Sequence, residues 1–183
     1  MPTRDSILTI EAFADTIVPG EKRTPDDRAV AGAAPDGGAV AAGALDLLQW
    51  SATGVHDGLD DFARALDGHA LDYAGEHGLD LDEDVPPFVA LPFEHRTALV
   101  QRVTTPGHRE KPLWISLALF CYMAYDSAAH LNTAEALAAG HPGLTALGIY
   151  QPDADGLWRF PDFSYGRKLA DPHPDTIPTG SLP

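Results

Sequence analysis

An apolar stretch from Leu113 to His130 constrains the fold of this chain more than any other segment. It reads LWISLALFCYMAYDSAAH, and from Leu113 to Tyr125 the only polar side chain of consequence is Ser116. A helix that is apolar on all sides is normally buried on most of them. Thirteen residues are too few to span a bilayer, which takes about twenty. The stretch therefore predicts a central core helix with the other helices laid around it.

Helical periodicity also dominates the rest of the first 149 residues. Apolar residues recur there at three- and four-residue steps, and no segment alternates convincingly with the period of two that marks a half-buried strand. We therefore predict an all-α fold, a small helical domain over residues 1–149. The first predicted helix starts at a Thr9 cap and ends before Pro19-Gly20. Further helices are predicted over 39–50, 57–77 and roughly 93–103. The central helix then either reaches Ala139 or breaks near Asn132 and restarts.

The charge of the chain excludes several classes of partner. It has 183 residues, with 12 Lys plus Arg against 27 Asp plus Glu, and a formal net charge of −15. Nucleic-acid binding needs a basic footprint, and docking on anionic lipid needs basic residues as well. Residues 57–84 hold ten acidic residues and one arginine, and so carry −9 of the total. This acidic segment is either a solvated face or a docking face for a basic partner.

Cysteine content and the N-terminus bear on the compartment. The single Cys121 lies inside the apolar stretch, which excludes a disulfide framework and a cysteine zinc site and predicts a buried thiol. The opening MPTRDSILTIEAFADT has neither a long apolar segment nor a twin arginine. We therefore expect a cytoplasmic protein without membrane insertion, unless a partner carries it out of the cell.

The character of the sequence changes at Tyr150. Six of the last 33 residues are proline, which argues against a helix, while five aromatic residues fall within sixteen positions, which argues against a disordered tail. We predict that residues 150–183 form an extended arm that packs by aromatic anchors, either on its own domain or on a partner chain. The candidate partner-binding residues are Tyr150, Trp158, Phe160, Phe163 and Tyr165.

The chemically most distinctive pair is Asp126 and His130, near the end of the apolar stretch. If the helix continues through them, residues four apart lie on the same face. An imidazole oriented by a carboxylate is a general-base arrangement, so Asp126 and His130 are the candidate catalytic residues. The alternatives are a pair that is satisfied by backbone groups or by each other, and a metal site.

Other histidines and motifs give weaker signals. His69 and His77 lie eight residues apart on the acidic helix, about 12 Å along its axis, so they cannot share one metal ion while the helix is intact. The sequence contains no nucleophile elbow, no His-Glu-x-x-His signature, no phosphate-cradling glycine loop and no dinucleotide fingerprint. We predict neither a metal site nor a cofactor bound by this chain alone.

The N-terminal sequence carries a family resemblance. LTIEAFADTIVPG, the glycine- and alanine-rich loop that follows, and GAVAAGALDLLQW resemble the small subunit of gluconate 2-dehydrogenase, subunit 3, and its relatives. That family begins with a short helix that carries Ala-Asp and then Ile-Pro, and continues through a Gly-Ala loop to a second helix. The matching residues here are Ala14, Asp15, Ile17 and Pro19.

A later segment adds to this resemblance. LPFEHRTALVQ is similar to the Leu…Arg…Leu segment of the family, here Leu91, Arg96 and Leu99. The resemblance covers most of residues 7–150 loosely and points to an actinobacterial branch, while the arm after Tyr150 lies outside it. Members of the family typically carry a twin-arginine signal, which this sequence does not show.

The resemblance implies a helical accessory subunit. Such a subunit accompanies a large flavin-dependent dehydrogenase of the glucose-methanol-choline type and supports its folding, maturation or active site. FAD is then expected in the partner, because a flavin enzyme needs a dinucleotide-binding fold and this sequence shows no motif for one. The family offers no catalytic residues to carry over.

Three functional hypotheses remain after the sequence analysis. The favoured one is a non-catalytic subunit of a flavin oxidoreductase complex. The second is an independent small helical enzyme in which Asp126 and His130 perform acid–base chemistry on a small, secondary-metabolite type of substrate. The third is a folding helper for one client protein.

Overall fold

The computed structural model describes residues 2–154 and 174–175, and the regular elements within them are all helical. The all-α prediction is therefore confirmed for this part of the chain. None of the described helices is long and apolar enough to cross a membrane. The helices are α1 (Arg4–Ile17), α2 (Ala44–Gln49), α3 (Leu59–His77), α4 (Pro87–Ala90), α5 (Phe93–Thr104), α6 (Lys111–Ser127), α7 (Thr133–Ala138) and α8 (Pro142–Ala146), with 3₁₀ turns at Ser51–Thr53 and His56–Gly58.

Two compact units divide the chain, residues 1–149 and residues 150–183. The described helices all belong to the first unit. Of the second unit, the structure describes residues 150–154 and 174–175.

Helix α1 is the most continuously buried element of the first unit. It begins after Thr3, whose hydroxyl accepts a hydrogen bond from the amide of Ser6 at 3.1 Å. The predicted cap at Thr9 is wrong, because Thr9 lies inside the helix, where its hydroxyl donates to a carboxylate oxygen of Asp67 on α3 at 3.1 Å. All residues from Thr9 to Asp15 are buried, and α1 contacts each of α2 to α6.

The polar residues of α1 fasten the loop that follows it, residues 20–38. Asp15 accepts hydrogen bonds from the amides of Gly20, at 3.0 Å, and Ala31, at 2.7 Å. The backbone of Gly20 meets that of Gly38 so closely that a Cβ on Gly20 would lie 2.2 Å from the Gly38 nitrogen. Burial raises the pKa of Asp15, and the two amide bonds oppose that shift. The loop has no regular secondary structure and many of its residues are exposed, and these contacts hold its backbone against α1.

Arg96 on α5 also binds backbone groups of the 20–38 loop. It is buried, and its guanidinium donates to the carbonyl oxygens of Leu91 at 2.9 Å and Ala29 at 2.7 Å. It also donates to the carbonyls of Arg28 and Val89. One side chain therefore ties the 20–38 loop to the turn between α4 and α5. Burial lowers the pKa of Arg96, and the nearby carboxylate of Asp15 opposes that shift.

Helix boundaries were predicted correctly where neighbouring residues in the sequence signal the end of the helix. The Gly78 terminus of α3 and the helix over 93–103 are confirmed within one or two residues. The predicted helix over 39–50 is wrong at its start, because Gly43 has φ = 84° and the helix begins only at Ala44. The segment between the predicted helices over 57–77 and 93–103 contains the short helix α4, which was not predicted.

Helix α6 does not have the burial that its composition predicts. Its buried residues are Trp114, Leu117, Cys121 and Ala124, on one side, and the indole of Trp114 packs against Phe13 of α1 with ring centroids 6.1 Å apart. The opposite side is exposed, while the rest of α6 contacts α1, α2, α5 and α8. Three large apolar side chains form what we call the α6 stripe: Ile115, Leu119 and Tyr122, which are 45%, 54% and 50% exposed.

We expect Arg96→Met to lower the free energy of unfolding by about 3 kcal/mol or more. The variant leaves several buried carbonyls without a donor, and each such group costs about 1–3 kcal/mol. Arg102→Met on the same helix is the matched control. Arg102 pairs with Glu76 on the exposed surface, so its loss should leave the free energy of unfolding nearly unchanged. Urea unfolding followed by circular dichroism measures both, and equal stability of the two variants would contradict the role given to Arg96.

Candidate functional site

His130 lies in a turn after α6 rather than on the helix. Helix α6 ends at Ser127, Ala128 adopts a left-handed conformation with φ = 48°, and the amide of Leu131 donates to the Ala128 carbonyl at 2.8 Å. Asp126 and His130 therefore do not share a helix face, and that premise of the sequence analysis is wrong. The alternative of a break with a restart near Asn132 is confirmed, since the Asn132 side chain caps α7.

The stop of α6 has a tertiary cause. Gly143, at the start of α8, packs against the last turn of α6, and a Cβ on Gly143 would lie 1.8 Å from the carbonyl oxygen of Tyr125. The chain must turn away after Ser127 to let α8 approach so closely. The Ala-Ala sequence at 128–129 gives no local signal of this, because alanine is the best helix former.

The imidazole of His130 packs against α2. Gly43 precedes this helix in a left-handed conformation, and a Cβ at Gly43 would lie 2.5 Å from Nε2 of His130 and 3.5 Å from a carboxylate oxygen of Asp46. Any other residue at position 43 would be strained by its backbone and would collide with the ring. The acidic neighbour of His130 is thus Asp46, from 84 residues earlier in the chain.

Burial and neighbouring charges set the state of His130. Burial lowers the pKa of the imidazole, the carboxylate of Asp46 raises it, and the nearby His141 lowers it, with a net decrease. The Nδ1 atom of His130 and one carboxylate oxygen of Asp126 are buried and have no hydrogen-bond partner among the described residues.

A pocket of about 380 Å³ borders His130. Its wall combines Asp46, Leu131 and His141 with small residues of α7 and of the segment before α2, and we call it the His130 pocket. His141 is itself fully bonded, since Nε2 contacts the Ala42 carbonyl at 3.1 Å and Nδ1 accepts from the Leu144 amide at 3.3 Å. His141 is a structural bridge between α8 and the segment before α2.

Four other histidines, His69, His77, His95 and His108, lie where α3 meets α5 and the start of α6. His69 contacts Glu110 at 2.7 Å, and this contact lowers the pKa of the Glu110 carboxyl. Further along α3, the Tyr73 hydroxyl contacts Nδ1 of His95 at 3.1 Å, and Nδ1 of His77 contacts the Tyr73 carbonyl. His69 and His77 thus have different partners. Among residues 2–154 and 174–175, no cluster of three or more His, Cys, Asp or Glu is arranged to hold a metal ion.

The other sequence-predicted residues fall in different places. Cys121 is buried, as predicted, and burial raises the pKa of its thiol to about 12, so it stays protonated. Of the predicted partner-binding residues, Tyr150 is described and is 39% exposed. Trp158, Phe160, Phe163 and Tyr165 lie outside the described residues.

The residues that α2 and its flanks contribute to the site were not predicted from the sequence. Gly43, Asp46 and Trp50 were seen only as parts of a predicted helix, although Asp46 and Trp50 line a pocket together with His130. The one usable signal was the Gly-Ala pair that begins α2, since glycine preceding a helix often adopts an unusual backbone conformation. The site combines the carboxylate of Asp46 with a neutral imidazole. Such a site can accept hydrogen bonds and attract a cation. The catalytic role of Asp126 and His130 stays a prediction.

Comparison with protein families identifies the group to which this chain belongs. It is a member of a family of unknown function, DUF5987, which it matches over residues 4–183. Neither the curated proteins nor the solved structures give a match. The resemblance to the gluconate 2-dehydrogenase small subunit stays a prediction.

We expect the imidazole of His130 to titrate below its ordinary pKa of 6.5, because burial disfavours the charged ring. Histidine resonances followed by NMR between pH 4 and 8 measure this directly, with His130→Gln to assign the signal. Asp46→Asn should lower the midpoint further, since it removes the charge that favours the imidazolium.

The same shift has a consequence for stability. Between the folded pKa and 6.5 the unfolded chain binds more protons than the folded one, so the contribution of His130 to stability is present above pH 6.5 and is lost as the pH falls through that window. A midpoint at or above 6.5 would contradict the assignment.

Proposed function

We propose that this chain is the small accessory subunit of a large flavin-dependent oxidoreductase of the glucose-methanol-choline type. It supports the folding, maturation or active site of that partner, and FAD is bound by the partner. A cytoplasmic location of the complex belongs to the same proposal.

The observation that carries the proposal is the α6 stripe. Ile115, Leu119 and Tyr122 follow each other at four- and three-residue steps on one side of α6, each about half exposed. Single exposed apolar residues are ordinary on protein surfaces, whereas a contiguous row marks a site of interaction with another protein or a membrane. The chain carries a charge of −15, which disfavours anionic membranes and leaves a protein partner.

The residues that carry the family resemblance support a scaffolding role. Asp15 and Arg96 are buried and hydrogen-bond to backbone groups of the 20–38 loop. They hold the fold and face no pocket of the His130 region. A chain whose motif residues are structural, and whose most apolar helix presents a row of large side chains to solvent, suits an accessory subunit better than an independent enzyme.

We expect that Leu119→Glu abolishes a complex that the wild-type chain forms with its flavoprotein. Co-expression of the two proteins, followed by size-exclusion chromatography with absorbance at flavin wavelengths, tests for the complex. A charge buried at the centre of the stripe should weaken binding by about 2 kcal/mol or more, roughly thirtyfold in Kd. Leu71→Glu is the matched control, because Leu71 is a comparably exposed leucine, 57%, on α3.

Three results separate the hypotheses. A yellow complex that persists with Leu71→Glu and is lost with Leu119→Glu is the expected outcome. A flavoprotein that gains yield from co-expression but does not co-elute would instead favour the folding helper. If the flavoprotein neither co-elutes nor gains yield, or if Leu119→Glu binds like the wild type, the proposal is wrong.

A further inference from the structure

A second pocket adjoins His130 at the end of α2. It measures about 290 Å³ and is lined by Asp46, Gln49, Trp50 and His130, and we call it the Trp50 pocket. Trp50 follows the last residue of α2 and is 50% exposed, which is unusual for so large an aromatic side chain. Asp46 lies four residues earlier, one turn away on the same side of the chain.

The electrostatics of the Trp50 pocket favour a cation. Asp46 is exposed and makes no salt bridge within the described part of the chain. The described residues that line the pocket include no lysine or arginine, and the low pKa of His130 leaves the imidazole uncharged near neutral pH. The face of an indole ring attracts cations through its quadrupole. A carboxylate and an indole therefore present two attractive surfaces to one positive group.

The shape of that group follows from the same residues. A guanidinium is planar, stacks on an aromatic face and donates paired hydrogen bonds to a carboxylate. An ammonium is more strongly hydrated and loses more when it leaves water for a shallow site. Three of the four lining residues are exposed, so the pocket covers the tip of a side chain and does not enclose a whole metabolite.

We propose that the Trp50 pocket binds the guanidinium group of an arginine side chain from a partner protein, held by the carboxylate of Asp46 and stacked on the indole of Trp50. The inference rests on the proposed function only in that the arginine belongs to a partner protein. His130, which packs against Gly43, forms the remaining wall of the pocket.

The test uses the full chain and a capped arginine, N-acetyl-arginine amide, as the probe. Amide and indole signals of Asp46, Gln49 and Trp50 are followed by ¹H–¹⁵N NMR, with Trp50→Leu to assign the indole. We expect saturable shifts with the arginine probe and none with the capped citrulline, which has the same shape without the charge. Asp46→Asn should weaken binding about tenfold, as expected for loss of a charge-assisted pair. Asp72→Asn, which removes an exposed carboxylate from α3, should leave binding unchanged.

Several outcomes would overturn the inference. Equal shifts with citrulline and arginine would show that charge is not recognised, and unchanged affinity in Asp46→Asn would remove the carboxylate from the site. Free arginine that binds about tenfold more tightly than the capped residue would show a metabolite site instead of a protein contact. Binding of the probe is measured without the flavoprotein, so this inference and the proposed function can fail independently.

Discussion

The guanidinium of Arg96 is the contact on which much of the described fold depends. A buried arginine is costly unless its donors are satisfied, and here it donates to four backbone carbonyls contributed by the 20–38 loop and by the region from α4 to α5. Those carbonyls belong to segments with no regular partner of their own. One side chain therefore holds irregular backbone against the core by donating hydrogen bonds to its carbonyls. Asp15 does the same for backbone amides of the 20–38 loop, from which it accepts hydrogen bonds.

This arrangement explains why α1 can be both central and polar. Glu11 is neutralised by the guanidinium of Arg23, which also contacts Asp27, and Thr9 is paired with Asp67. The carboxylates thus lie at the contacts between α1 and its neighbours rather than in solvent. Their partners come from the loop and from α3, so folding of α1 and closure of the loop depend on each other.

On the surface the relation is reversed, because apolar residues are exposed there whereas polar residues of α1 are buried. Helix α6 is the most apolar segment of the chain, but it buries one side and presents Ile115, Leu119 and Tyr122 on the other. The Trp50 pocket gives a second exposed aromatic, beside the exposed carboxylate of Asp46. One surface suits an apolar partner face and the other a basic side chain. These two surfaces are the basis of the two proposals made above.

The sequence by itself determined the helical class, because three- and four-residue periodicity over α1, α3 and α5 is a local property that tertiary contacts did not override. It also identified Asp15 and Arg96 as motif residues and Cys121 as a buried thiol. Only the tertiary structure decided which long helix is buried continuously over two turns, since Glu11 and Asp15 become compatible with burial only through Arg23 and the loop amides. It likewise decided the surroundings of His130, because the close approach of Gly143 to Tyr125 ends α6 and turns the imidazole towards Gly43 and Asp46. Contacts between residues so far apart in sequence leave no periodic signal, and that is the physical reason they could not be predicted.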